Sequence, residues 1–266
     1  MEFAIFSKFM REQSVEQLGQ EVQALGFSGI EFPVRLGYQC EPDNVSTELV
    51  PLVEKLRNDF GIDVPIVTNG HDPSASSTEA LYAACGEAGV KFIRPAYWGV
   101  SGMQWWETHV RAVSKIKVLE RLSEKYGVKT VIHMHSGKLL TSTCLGTQLL
   151  VRECDPRYVG VYFDPAHLAL DGEDYEMGLG IVKSHLCLIG VKNCCYVKVG
   201  ESETDGQIWG ISWVPLKVGL VPWGTVIQLL KTIDYDGILC FHAEYSEHSR
   251  TTEFVTSDFQ YVRALL

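Results

Sequence analysis

The chain has 266 residues, 46% of them hydrophobic and 21% charged, and its 23 Lys and Arg against 33 Asp and Glu leave a net charge of −10. That composition excludes a disordered, collagen-like or coiled-coil chain, and the length suffices to bury a core without a disulfide or structural metal. The acidic balance, with no cluster of basic residues, argues against a nucleic-acid partner.

In chain order, apolar strand-like runs alternate with helical patterns. The first strand is expected at Phe3–Phe6, then a helix at Val15–Leu25 with Ser14 as its N-cap and Gly26 as its stop. A second strand at Gly29–Phe32 precedes a helix at Glu48–Phe60, and a third at Val64–Val67 precedes a helix at Thr78–Ala88. The fourth pair is Val90–Arg94 and His109–Tyr126, the fifth Lys129–His133 and Thr147–Glu153. Val159–Phe163 is followed by a weaker helical segment at Tyr175–Lys183. Leu186–Val191 is followed, after a Gly- and Trp-rich stretch at Val199–Trp223 read as a long loop, by a helix at Val226–Ile233. Ile238–Phe241 and Phe254–Leu266 close the series. Glycines at 61, 89 and 127 stop helices just before the next strand.

Eight such units predict a (β/α)8 barrel, with 1–266 as a single domain. A doubly wound sheet would favour a Gly-rich turn after the first strand, where this chain has SKFMREQS. No GxxxxGK[ST] loop occurs. No apolar run approaches the roughly 18 residues of a membrane helix. The N-terminal MEFAIFSKFMREQ does not read as a signal peptide. The eight cysteines form no CxxC pair. Together these features predict a cytosolic protein with reduced thiols and no membrane partner.

A barrel of this kind carries its site where the strands end. Strand one delivers Ser7 and Lys8, strand two Glu31 and Arg35, strand three Thr68, Asn69 and His71, and strand four Arg94, Tyr97 and Trp98. Strand five ends in VIHMHSG with His133 and His135, strand six in YFDPAH with Asp164 and His167, strand seven in GVKN with Lys192 and Asn193, and strand eight in CFHAEY with His242 and Glu244. Five of the eight histidines follow directly on strand runs. The pairs His133/His135 and His242/Glu244, two residues apart, each share one strand face and can aim with Asp164 into the mouth. Imidazole and carboxylate together are ligands for a divalent metal and equally groups for proton transfer near neutral pH. Asp164–Pro165 could instead simply end a strand, and Glu31 could pair structurally with Arg35 or Arg94. A buried Lys192 would be costly without a partner. The six tryptophans read as loop-packing residues, one or two of which could wall a pocket.

With these motifs (HxHxG, FDPAH, VKN and the strand-eight HxEY) the chain resembles the xylose isomerase-like barrel superfamily. That group includes sugar phosphate isomerases and epimerases, inosose dehydratases, hydroxypyruvate isomerases and endonuclease-four-type repair enzymes. The resemblance runs through GFSGIEF and PLKVGLVPW as well, and so covers essentially the whole chain. It implies one divalent metal held by a Glu after strand five, an Asp after strand six, a His after strand seven and a Glu after strand eight. The two glutamates serve there as acid and base. Here Asp164 and His167 are kept. His133 stands at the strand-five Glu position, as in the HxHxG form of inosose dehydratases. Gly190 or Val191 stands at the strand-seven His position, followed by the common lysine as Lys192. The last Glu aligns with His242, or with Glu244 two residues on. The Glu/Glu pair is therefore not intact.

The reading that follows is a sugar, keto-sugar or cyclitol isomerase, epimerase or dehydratase that abstracts a proton next to a carbonyl. The expected metal ligands are His135, Asp164, His242 and Glu244, holding Mn, Co, Zn or Mg, with His133 as an alternative to His135. The expected proton-transfer groups are Glu244, His133 and Lys192. The expected substrate contacts are Glu31, Arg35, Arg94, His167 and Asn193. The expected partner is a small-molecule sugar or cyclitol, and a homo-oligomer is compatible with the chain. The competing reading is a non-catalytic or accessory sugar-binding barrel that has lost part of the metal site.

Overall fold

The computed structural model describes residues 1–69 and 77–266. His71 lies outside the described residues. Eight parallel strands close into a barrel: β1 (Glu2–Phe6), β2 (Gly29–Val34), β3 (Asp63–Asn69), β4 (Phe92–Arg94), β5 (Lys129–His133), β6 (Val159–Phe163), β7 (Leu186–Val191) and β10 (Ile238–Phe241). Around the barrel they run in chain order, with β10 pairing both β7 and β1.

Alternation along each strand separates two cores. Ala4, Phe6, Ile66, Val131, Tyr162, Leu188, Ile238 and Cys240 point inward and fill the barrel. Their neighbours, such as Ile5, Ile30, Val67, Ile132, Val161 and Leu239, point outward and pack on the surrounding helices. Each buried aliphatic side chain contributes about 1.5–3 kcal/mol relative to an exposed one. This two-sided burial explains why the strands read as near-continuous apolar runs.

The helices are α1 (Val15–Ala24), α2 (Val45–Phe60), α3 (Ser77–Ala88), α4 (Trp105–Tyr126), α5 (Cys144–Val151), α6 (Pro165–Asp171), α7 (Tyr175–Val182), α8 (Trp223–Thr232) and α9 (Thr251–Leu265). Ser14 caps α1 as expected: its hydroxyl accepts from the Gln17 amide and the Gln17 side chain accepts from the Ser14 amide. Gly61 and Gly127 end α2 and α4 with φ of 66° and 69°, a conformation that costs glycine little. The helix α4 begins four residues earlier than its apolar pattern predicts.

Two departures from the sequence reading bear on the site. Of the stretch read as a loop, Val199 to Val214 belongs instead to an antiparallel ribbon, β8 (Asn193–Ser202) paired with β9 (Gly206–Val214), which returns on a three-residue turn followed by Gly206 at φ 73°, while 215–222 is irregular as expected. Most of the ribbon is exposed, so no single buried face marks it in the sequence. The second departure is α6, a seven-residue helix that Asp164 itself caps and Pro165 opens.

Candidate active site at the barrel mouth

The strand ends deliver their polar side chains to one place. On one side, Glu31 and Arg94 form an ion pair, Oε1 to Nε 2.9 Å, with both residues at most 4% exposed. Thr68 donates to Glu31 Oε1 and accepts from Arg94 Nε at 3.0 Å. Tyr162 donates to Glu31 Oε2 at 2.8 Å, and the Cys240 thiol reaches the same oxygen at 3.2 Å. Irregular register in β2–β3 falls beside Glu31, and in β6–β7 beside Tyr162. Burial pushes the Glu31 carboxyl up, but Arg94, His242 and the hydroxyl donors more than reverse this, so it stays ionised.

The other side is built on Asp164. Its Oδ1 accepts from the Ala166 and His167 amides at 3.1 and 3.3 Å, fixing the carboxylate at the head of α6. Its Oδ2 meets His133 Nε2 at 3.1 Å, Lys192 Nζ at 3.3 Å and His242 Nδ1 at 3.6 Å. Lys192 also donates to Glu244 Oε2 at 3.0 Å and to His167 Nε2 at 2.9 Å, and lies 4.6 Å from the centre of the Trp213 ring. Burial disfavours its charge, yet Asp164 and Glu244 hold its pKa above the ordinary lysine value. Glu244 is shared with Lys8, at 3.1 Å. Burial raises Glu244, and Lys192, His242 and Lys8 together lower it further than burial lifts it. The residue between His242 and Glu244, Ala243, has φ 49°, a left-handed conformation unusual for a side-chain-bearing residue, and this turn aims Glu244 at Lys192.

Hydrogen-bond roles fix the tautomers. His167 accepts from Lys192 at Nε2 and so donates from Nδ1 to Ser136 Oγ, 2.9 Å away. His133 Nδ1 lies 2.8 Å from Arg94 Nη1, a group that only donates, so His133 accepts there and carries its proton on Nε2, facing Asp164. His135 Nδ1 lies 2.9 Å from the Ser136 carbonyl, which only accepts. His135 therefore donates from Nδ1 and leaves a bare lone pair on Nε2. Among the described residues that nitrogen has no hydrogen-bond partner. Burial keeps His135 below the ordinary imidazole pKa, and hence neutral at pH 7. Its ring centre lies 3.8 Å from that of His167, the two planes tilted by 32°, and the ring borders a cleft of about 900 Å³, also lined by Tyr38, Trp213, His242 and Glu244.

Three donor atoms, on His133, Asp164 and His242, lie within 4.8 Å of one another. His242 suits an ion: Tyr162, having given its proton to Glu31, accepts from His242 Nε2 at 2.8 Å and leaves Nδ1 free. His133 does not. A metal-bound histidine donates its far N–H to an acceptor, whereas the far nitrogen of His133 faces Arg94. From β7, Gly190 contributes no side chain, and a Cβ there would stand 2.9 Å from Asp164 Oδ2. Two ready ligands, Asp164 and His242, fall short of the three that catalytic zinc sites use, and Lys192 already pairs with the Asp164 carboxylate. The set as it stands does not fit a resident divalent ion.

The residues expected from sequence are thus sorted. Asp164, Lys192, His135, His242 and Glu244 converge. Arg35 and Arg94 line a smaller cavity of about 120 Å³ that shares His135 and Glu244 with the cleft. Glu31 is not at the cleft: it is fully buried and saturated by its neighbours. Asn193 stands apart too. Its amide donates to the carbonyls of Leu216 and Val221 and accepts from the amides of Cys194 and Val221, which uses all four of its positions on backbone. His167 is 1% exposed with both nitrogens engaged, and so orients Lys192. His135 and Glu244 lie outside the donor group above. Tyr162, Ser136 and Trp213 carry roles that the motifs did not single out. Tyr162 was findable, because it sits two residues before Asp164 and so shares its inward face.

The fold and this mouth define a class. The family model of the xylose isomerase-like TIM barrel matches residues 20–263, and the chain belongs to that family. The inosose dehydratase of Mesomycoplasma hyopneumoniae strain J is 27% identical over 151 residues, which is 54% of this chain and 50% of that protein. The chain thus spans about half the length of the curated relatives it matches. The 3-keto-D-glucoside 4-epimerase of E. coli superposes with a TM-score of 0.75 at 13% identity, covering 99% of each chain. The D-psicose 3-epimerase of Clostridium cellulolyticum H10 gives 0.72 at 15% identity, covering 100% of this chain and 99% of that one. These likenesses show the fold. No helix among the described residues is long and apolar enough to cross a membrane.

Proposed function

We propose that this chain moves a proton on a sugar, keto-sugar or cyclitol, at the carbon next to a carbonyl, giving isomerisation, epimerisation or loss of water. The observation that carries this reading is His135: a neutral imidazole with one bare nitrogen, bordering a sugar-sized cleft, next to a buried ammonium. That nitrogen is a competent base near neutral pH. The named activities of the relatives, one dehydratase and two epimerases, all act on such substrates.

In this reading the substrate oxygen takes the Lys192 N–H that Glu244 now holds. Glu244, the most accessible partner of Lys192, is then released to return or relay the proton. His133, with both nitrogens engaged, positions Asp164. Among the described residues the buried Nε of Arg35 has no partner, and a substrate hydroxyl in the smaller cavity would satisfy it.

The test is deuterium uptake. Keto-sugars and inososes are incubated with the protein in D2O, and the carbon next to the carbonyl is followed by proton NMR. Exchange that disappears in His135→Gln supports the reading. Saturable binding of these compounds without exchange would replace it with the accessory sugar-binding barrel.

A further inference from the structure

The mouth holds one buried cation on its open side, and that cation is covalently part of the chain. Lys192 Nζ has three acceptors, Asp164, Glu244 and His167, which match its three N–H bonds. Trp213 covers it. The atoms that could have held a metal are turned to serve it. Asp164 offers Oδ2 to the ammonium, His167 presents a lone pair, and Arg94 fixes the His133 proton toward Asp164. Gly190 leaves the space beside Asp164 without a ligand.

We infer that the electrophile of this site is the Lys192 ammonium, and that the chain polarises its substrate's carbonyl oxygen with a lysine and not with a divalent ion. The assignment of a substrate rests on the proton-transfer reading above; the assignment of the cation does not. The step balances without a further reactant. The base takes the proton, the C–H electron pair becomes a new C=C bond, and the C=O π pair moves onto oxygen. A Lys192 N–H holds that oxygen while the ammonium keeps its proton. Return of the proton to the other face of the same carbon gives the epimer. Its delivery to the former carbonyl carbon, with the adjacent hydroxyl's proton passing to the oxygen that Lys192 holds, gives the isomer. Loss of a hydroxyl from the next carbon, which takes the base's proton and leaves as water while the C=O re-forms, gives the dehydrated product.

Two measurements decide it. The first uses full-length protein purified without a metal-affinity tag, loaded with Mn, Co or Zn and dialysed, with metal counted by elemental analysis. The expected result is far less than one ion per chain, with no micromolar binding by calorimetry. About one retained ion per chain, lost in Asp164→Ala, would overturn the inference. The second is the deuterium exchange above, run in EDTA. The expected rate is unchanged by EDTA and falls by at least about a hundredfold in Lys192→Met, a loss typical of a missing oxyanion donor. Exchange that requires added metal would overturn the inference and leave the proton-transfer reading intact. Absence of exchange under all conditions would overturn that reading, while the metal count still decides the cation. Because the count is made on the wild type, it does not depend on Lys192→Met folding.

Discussion

The two sides of the barrel mouth use the same kinds of residue to opposite ends. Around Glu31 and Arg94 every carboxylate oxygen is taken, by a guanidinium, two hydroxyls and a thiol, and no cleft reaches the carboxylate. Around Asp164 and Lys192 the pairing is just as dense at depth, but it ends in groups that face the cleft: Glu244 at 24% side-chain exposure and the bare nitrogen of His135. A buried charge whose partners are all internal can only hold the barrel together. One whose last partner is exposed can exchange that partner for a ligand.

Substitutions should separate the two sides. Glu31→Ala strands Arg94 as an uncompensated buried charge, so urea unfolding should show a loss of about 3–5 kcal/mol. On the open side, His135→Gln should cost kcat about 10²–10⁴-fold, the usual share of a general base. Its unfolding midpoint should barely move. Equal stability losses in both variants would erase the distinction.

His242 touches both sides and tests them through pH. Burial first, then Lys192, brings its pKa down to about 4. The unfolded chain takes up a proton at that histidine from about pH 6.5 downward, and the folded chain does not. Stability should therefore fall as pH drops from 6.5 to 4, by about 3 kcal/mol for this group. His242→Gln should flatten that slope. The acid limb of kcat/KM belongs to His135. Lys192, Asp164 and Glu244 surround it, and burial sets it low, so activity should persist below about pH 6.5 before it declines. The smallest effect is expected at Arg35→Met, a rise in KM of about tenfold from one lost charged hydrogen bond, with kcat nearly unchanged.

Much of this was legible in the sequence. Strand order, the barrel and the inward set at positions 133, 135, 164, 192, 242 and 244 follow from apolar runs and from what stands at their ends. Glu31 illustrates the limit. Its position on a strand end shows that it points inward, but not that Thr68, Tyr162 and Cys240 close over it from three other strands. Asn193 looked like a site residue because it follows Lys192, and its real work is on the backbone of the Leu216–Val221 turn. The fit of a metal turns on a similar point. Ligand types were readable, whereas the direction of the His133 proton is set by Arg94, a residue thirty-nine positions away.

The ribbon has a mechanical consequence. Asn193 clamps its root, the next residue pairs with Trp213, and the Tyr196 hydroxyl donates to the Leu170 carbonyl of α6, so only the stretch beyond Tyr196 extends as an exposed arm. Trp213 is held at the root as well, its amide donating to the Ser246 hydroxyl and its carbonyl accepting from the Ser246 amide, each at 2.9 Å. The ring that covers the lysine is thereby seated at the anchored end of the ribbon, away from its exposed tip.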